Sequence, residues 1–95
     1  MRGNEWVQVR VVLRGRVQGV GYRYFALRKA GEYEVTGYVR NLSSGEVEVV
    51  AEGRKDQVES FLEEIKQGPV SAHITGVQEE WLPFSGFYPD FRVQY

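Results

Sequence analysis

Residues 15–23 read Gly15-Arg16-Val17-Gln18-Gly19-Val20-Gly21-Tyr22-Arg23, a run that places three glycines ahead of an arginine. Glycine lets the backbone approach a ligand and take positive φ, so that successive N–H groups converge on one point. A helix starting where the run ends adds unpaired N–H groups and a partial positive charge. Arg23 then stands in the first helical turn, where its planar fork suits two phosphate oxygens. This is chemistry for a small anion. It is not a nucleotide loop, since no Gly-Lys-Ser/Thr follows and no GxGxxG is present. A glycine-rich connection with a solvated arginine fits the same spacing, and spacing alone leaves both readings open.

Asn41 is the second candidate. It precedes the turn Leu42-Ser43-Ser44-Gly45, where asparagine ordinarily hydrogen-bonds nearby backbone. Its carboxamide acquires a chemical use only if the fold sets it near Arg23. Arg40 falls on the opposite face of the same strand and reads as a structural or surface charge.

The elements that must position these residues follow from periodicity. Val7, Val9, Val11 and Leu13 alternate with polar residues and predict a strand over about 6–14. Tyr22, Phe25, Ala26, Ala30 and Tyr33 form one helix face. Thr36–Asn41 and Glu46–Glu52 read as a hairpin. Val58, Phe61, Leu62 and Ile65 make an amphipathic helix that Gly68-Pro69 ends. Ile74–Leu82 and the alternation of Phe91, Val93 and Tyr95 supply two more strands. The order β-α-β-β-α-β with a short fifth strand predicts a ferredoxin-like α/β (α+β) sandwich, two helices on one face of a mostly antiparallel sheet. In that topology strands one and two run the same way. The loop after strand one and the turn after strand two therefore share one end of the sheet.

Ninety-five residues suit a single domain, 1–95, against the ~100–150 residues at which domains cluster. Hydrophobic residues at 42% and charged residues at 26% describe an ordinary globule, with no apolar stretch near the ~20 residues that span a bilayer and no leader-type apolar region. The absence of cysteine removes disulfide scaffolds, thiolate zinc sites and cysteine nucleophiles. The net charge of −1 hides an asymmetry: residues 1–40 carry eight basic and three acidic side chains, residues 41–95 four basic and ten acidic. A pI near 5.8 argues against nucleic acid, while the local basic excess can focus a small anion.

The run at 15–23 resembles the acylphosphatase signature G-x-V-Q-G-V-x-F-R. Gly37-Tyr38-Val39-Arg40-Asn41, followed by Gly45-Glu46-Val47-Glu48, is similar to the second block of that family, G-W-V-R-N with a following G-x-V-E. Gly68-Pro69-Val70-Ser71-Ala72, then Val77 and Trp81, gives a weaker third match. Tyr22 and Tyr38 depart from the frequent Phe or Met and Trp, and Ser43-Ser44 from a commonly acidic turn. At Tyr22 the departure brings a hydroxyl near the loop and leaves a packing role for the ring. The resemblance implies hydrolysis of a carboxyl–phosphate bond. Arg23 would bind the phosphate, Asn41 would orient the attacking water, and backbone N–H groups from Gly15 through Tyr22 would complete the cradle. No cofactor and no metal are expected. The expected partner is a small-molecule acyl phosphate, with no nucleic acid and no membrane, for a monomer in the cytoplasm. The runner-up is a noncatalytic anion-binding or regulatory module using the same loop. A third reading, a module of a larger carbamoyl-phosphate-using enzyme, is disfavoured by a chain that reads as complete and lacks zinc-finger cysteines.

Other chemistry-bearing residues have plainer readings. His73, the single histidine, has no ligand pattern around it and is expected at the surface or in packing. Glu46, Glu48 and Glu52, like Glu63-Glu64 and Glu79-Glu80, are expected to be solvated. No nucleophile elbow supports a Ser-His-Asp triad. Trp6, Trp81, Phe84, Phe87 and Tyr88 are expected as core or cover, and no strand carries the RNA-recognition motif.

Overall fold

The alternation of apolar and polar residues from Val7 to Leu13 produces a long strand, β1 (Trp6–Arg16), in a computed structural model that describes residues 5–95. After it come α1 (Tyr22–Tyr33), β2 (Thr36–Asn41), β3 (Val47–Arg54), α2 (Lys55–Gln67), β4 (His73–Pro83) and β5 (Phe91–Val93). The strands lie in the order β4-β1-β3-β2-β5. β1 and β2 are both antiparallel to β3, so their C-terminal ends, Arg16 and Asn41, meet at one end of the sheet. β4 is antiparallel to β1, and β5 is parallel to β2. This is the ferredoxin-like α+β sandwich.

Cross-strand partners share a face, and the pairs Val9–Ala51, Val11–Val49 and Leu13–Val47 form the floor of the core. Ala26 and Ala30 of α1 and Val58, Phe61, Leu62 and Ile65 of α2 close over it, all buried. The Tyr33 hydroxyl donates to Glu64 at 3.0 Å and ties the helices together.

The strand β1 runs two residues past its expected end. Its register against β4 shifts between Arg14 and Gly15, after which Gly15 pairs with Ile74 and Arg16 with His73. Those two residues belong to the sheet, and the connection proper shortens to 17–21.

The expectation that Glu46, Glu48 and Glu52 are solvated needs correction. Glu48 is 2% exposed and Glu52 1%, and Glu46 is half-buried. All three lie on the face away from the helices, and residues 84–90 return across that face. The Ser85 backbone N–H donates to Glu52 at 2.9 Å and that of Gly86 at 3.0 Å, with Ser85 Oγ and Gln8 Nε2 adding further bonds. Downstream, Tyr88 packs on Tyr38 with centroids 5.8 Å apart, and Gly37 N–H donates to the Asp90 carbonyl at 2.9 Å. Strand periodicity places these carboxylates outside the helix-facing core, but it carries no sign of a later segment covering the second face. The aromatic residues act as cover and not as core: Trp6 meets Phe84 at 5.4 Å, and both remain partly exposed. His73 is exposed, in line with expectation.

Candidate active site

The connection from β1 to α1 turns through left-handed backbone at Gly19 (φ 74°) and at Gly21 (φ 79°), conformations that cost glycine nothing and other residues more. Gly21 is the N-cap of α1 and offers no side chain to cap it. The first backbone bond of the helix runs from Phe25 N–H to the Gly21 carbonyl at 3.0 Å. The N–H groups of the preceding helical residues have no partner within the helix and are available to an anion.

A cleft of about 210 Å³ opens at this point. The loop contributes Val17, Gly19 and Gly21, and the first turn of α1 contributes Tyr22, Arg23 and Tyr24. Asn41 enters from the end of β2, and Val93 and Tyr95 enter from β5 and the residues after it. The size lies below the ~300–1,000 Å³ of pockets for drug-sized ligands and suits a small anion. Arg23 is the one charged side chain on this lining. Its Cζ stands 5.2 Å from the centroid of the Tyr95 ring.

Of the ten residues singled out in the sequence, Val17, Gly19, Gly21, Tyr22, Arg23 and Asn41 line the cleft together. Gly15, Arg16, Gln18 and Val20 do not. Gly15 and Arg16 are held in the sheet. Gln18 turns its carboxamide to the hairpin, donating to the carbonyls of Leu42 at 2.8 Å and Glu46 at 2.9 Å. Tyr22 keeps the expected packing role, but its hydroxyl does not face the loop. Its ring is buried and its hydroxyl donates to the Ile65 carbonyl of α2, away from the loop. Burial pushes that phenol far above its ordinary value.

Behind Asn41, the neighbouring Arg40 points to the opposite face, as strand alternation requires. There it is a fixed charge. Its Nε donates to Glu48 Oε1 at 2.6 Å, while Arg10 Nε donates to Glu48 Oε2 at 2.6 Å and Tyr38 adds a bond at 3.0 Å. Burial alone would raise the Glu48 carboxyl, but the bonds from Arg40, Arg10 and Tyr38 outweigh it and hold the group below the usual range. The Tyr38 phenol is pushed up to about 12, first by burial and then by Glu48. Among the described residues, no group of three or more His, Cys, Asp and Glu could hold a metal ion, and no helix is long and apolar enough to cross a membrane.

Tyr24, Val93 and Tyr95 are the lining residues that sequence reasoning missed as site residues. A signal existed for two of them, since Val93 and Tyr95 alternate on one face. Nothing local says that β5 docks beside β2. The observed register pairs Val39 with Val93, and Gln94 N–H donates to the Val39 carbonyl at 2.9 Å. Continued by two residues, that register brings Tyr95 level with Asn41 on the helix side.

The split βαβ sandwich sets a glycine loop, an arginine and an asparagine around one small cleft. The sequence model of the acylphosphatase family matches residues 9–93. An acylphosphatase of Thermus thermophilus is 53% identical over 70 residues, covering 74% of this chain and 80% of that protein. The crystal structure of the acylphosphatase from Bacillus subtilis superposes with a TM-score of 0.89 at 34% identity, covering 94% of this chain and 99% of that one. A similar fold occurs inside full-length HypF in its phosphate- and nucleotide-bound form, with a TM-score of 0.87 at 32% identity, where 96% of this chain covers 12% of that one. The chain belongs to the acylphosphatase family, and acyl phosphate hydrolysis is the activity that this membership carries.

Proposed function

We propose that the chain hydrolyses acyl phosphates with Arg23 and Asn41 as its catalytic residues. The phosphate sits on the Arg23 guanidinium and on backbone N–H groups of the turn from Val17 to Tyr22. Asn41 orients a water for in-line attack on phosphorus. The water oxygen forms a bond to phosphorus as the bridging oxygen–phosphorus bond breaks. The bridging oxygen keeps the electron pair and leaves as a carboxylate, and both water hydrogens finish on the phosphate product. The observation that carries this reading is the meeting of Arg23 and Asn41 in one cleft at the glycine loop, from elements well separated in the chain.

The chemistry supports so spare a site. Phosphoryl transfer is catalysed largely by positioning and by electrostatic stabilisation of equatorial oxygens. The parent acid of the leaving carboxylate has a pKa of roughly 4, like that of Asp or Glu, so no general acid is needed. A neutral carboxamide can align water, as a glutamine does in some phosphoryl-transfer enzymes. The same reading has the reaction run without a metal ion, in one domain of residues 1–95, in a cytoplasmic monomer with no nucleic-acid or membrane partner. Phosphate monoesters, with poorer leaving groups, are turned over weakly.

The test is benzoyl phosphate hydrolysis with EDTA present, comparing wild type, Arg23→Gln and Asn41→Ala. Turnover in the wild type, lost in both folded variants, is the expected result. A folded Asn41→Ala that keeps wild-type kcat would remove the water-orienting role. Phosphate binding without turnover in the wild type would return the site to an anion-binding module.

A further inference from the structure

We infer that Arg40 is a positioning residue for the reaction: gripped by Glu48 on the sheet face away from the helices, it sets the aim of Asn41 on the cleft side. The inference rests on the proposed water-orienting role of Asn41. The Asn41 carboxamide lines the cleft with no hydrogen bond from another described residue. Its direction is therefore set by the backbone that carries it, and that backbone is anchored through both neighbours. On one side the Leu42 carbonyl accepts from the Gln18 amide at 2.8 Å. On the other, Arg40 Nε donates to Glu48 Oε1 at 2.6 Å.

The Arg40 anchor is firmly seated. Glu48 is 2% exposed and stands opposite Arg40 in the β2–β3 register. The Tyr38 hydroxyl donates to the same Oε1 at 3.0 Å, and Arg40 Cζ lies 5.9 Å from the centroid of the Tyr38 ring. Exposed ion pairs hold geometry weakly, whereas a buried carboxylate keeps its partners because leaving it unpaired is costly. Successive side chains of a strand leave opposite faces of one pleat, so a guanidinium fixed at 40 fixes the peptide plane from which Asn41 departs. Arg10 supplies the contrast. Its Nε donates to Glu48 Oε2 at the same 2.6 Å, but its chain neighbours Val9 and Val11 belong to the core and not to the cleft.

The experiment compares Arg40→Met, Arg10→Met, Glu48→Gln and Asn41→Ala with wild type on benzoyl phosphate. It reads kcat, the inhibition constant of inorganic phosphate and the urea midpoint. Arg40→Met and Glu48→Gln are expected to lose kcat on the order of tenfold, short of the ~100-fold that a misplaced group can cost. The phosphate inhibition constant stays at the wild-type value, since Arg23 and the loop are untouched. Arg10→Met is expected to lower the urea midpoint as Arg40→Met does and to keep wild-type kcat. A shifted midpoint in both arginine variants with kcat kept in both makes the network purely structural and overturns the inference. An equal loss of kcat in the two arginine variants assigns the effect to general loosening and overturns it as well, as does a weakened phosphate affinity with kcat unchanged. If Arg40→Met does not fold, Glu48→Gln decides, and wild-type kcat there overturns the positioning role. Wild-type kcat in Asn41→Ala removes the water-orienting reading and this inference with it. An inactive Asn41→Ala beside a fully active Arg40→Met removes this inference alone.

Discussion

The side-chain amide of Gln18 donates to the Leu42 carbonyl at 2.8 Å, joining the anion loop to the residue that follows Asn41. The same amide donates to the Glu46 carbonyl at 2.9 Å, on the other arm of the hairpin, and Leu42 N–H closes the turn onto Glu46 at 2.8 Å. One carboxamide therefore bridges the glycine loop and the turn that follows Asn41. A loop and a turn that meet only through solvent would hold their spacing poorly.

Replacing this donor with an acceptor exposes the role. In Gln18→Glu a carboxylate faces two carbonyl oxygens that have lost their donors. The expected result is a fall in kcat of about tenfold, with a stability loss of about 1–3 kcal/mol for the unsatisfied groups. Steady-state kinetics and urea denaturation measure the two effects. An unaltered kcat together with an unaltered denaturation midpoint would show that the clamp positions nothing.

Glu48 ties stability to pH. Its folded carboxyl lies below the ordinary range because Arg40, Arg10 and Tyr38 hydrogen-bond the charged form. Its stabilisation is therefore present above the unfolded carboxylate value of about 4.3 and is lost as pH falls through the folded value. Glu48→Gln should cost about 1–3 kcal/mol at pH 7, moderated by the partial exposure of both arginines, and less below pH 4. Urea midpoints at pH 7 and 3.5 read the difference. A penalty that is the same at both pH values contradicts the ionised network.

The strap at 84–90 is held to the sheet through Glu52. The Ser85 and Gly86 backbone amides donate to its carboxylate, and slowed hydrogen exchange at both is the expected consequence. In Glu52→Ala these two amides should exchange at least tenfold faster while those of β1 and β3 keep their protection. Site-resolved exchange by NMR decides it, and unchanged rates at Ser85 and Gly86 would show that other contacts hold the strap.

Tyr22→Phe removes a buried hydroxyl from the Ile65 carbonyl without touching the cleft lining made by the ring. The loss should be about 0.5–1.5 kcal/mol, a fall of several degrees in Tm for a domain of this size. kcat should stay within twofold of wild type. A large drop in kcat with Tm unchanged would place the hydroxyl in the reaction.

Much of this molecule is legible residue by residue. The β1 and α2 patterns, the hairpin at Leu42–Gly45 and the opposite facing of Arg40 and Asn41 follow from periods of 2 and 3.6, which depend only on neighbouring side chains. The glycines ahead of Arg23 mark a tight turn into α1 because backbone conformation is local. Strand order then brings Arg23 and Asn41 to one end of the sheet, since β1 and β2 share a direction in this topology.

What only the tertiary structure decided are the contacts that join residues distant in the chain. Glu48 and Glu52 look solvated by strand alternation and are buried, Glu52 where Ser85 and Gly86 return over that face and Glu48 among Arg10, Tyr38 and Arg40. The Tyr22 hydroxyl belongs to α2, the Gln18 amide to the hairpin, and the Tyr95 ring to Arg23. Each pairing depends on where a second segment docks, and docking is chosen by burial and hydrogen-bond satisfaction over the whole fold, which no local period records.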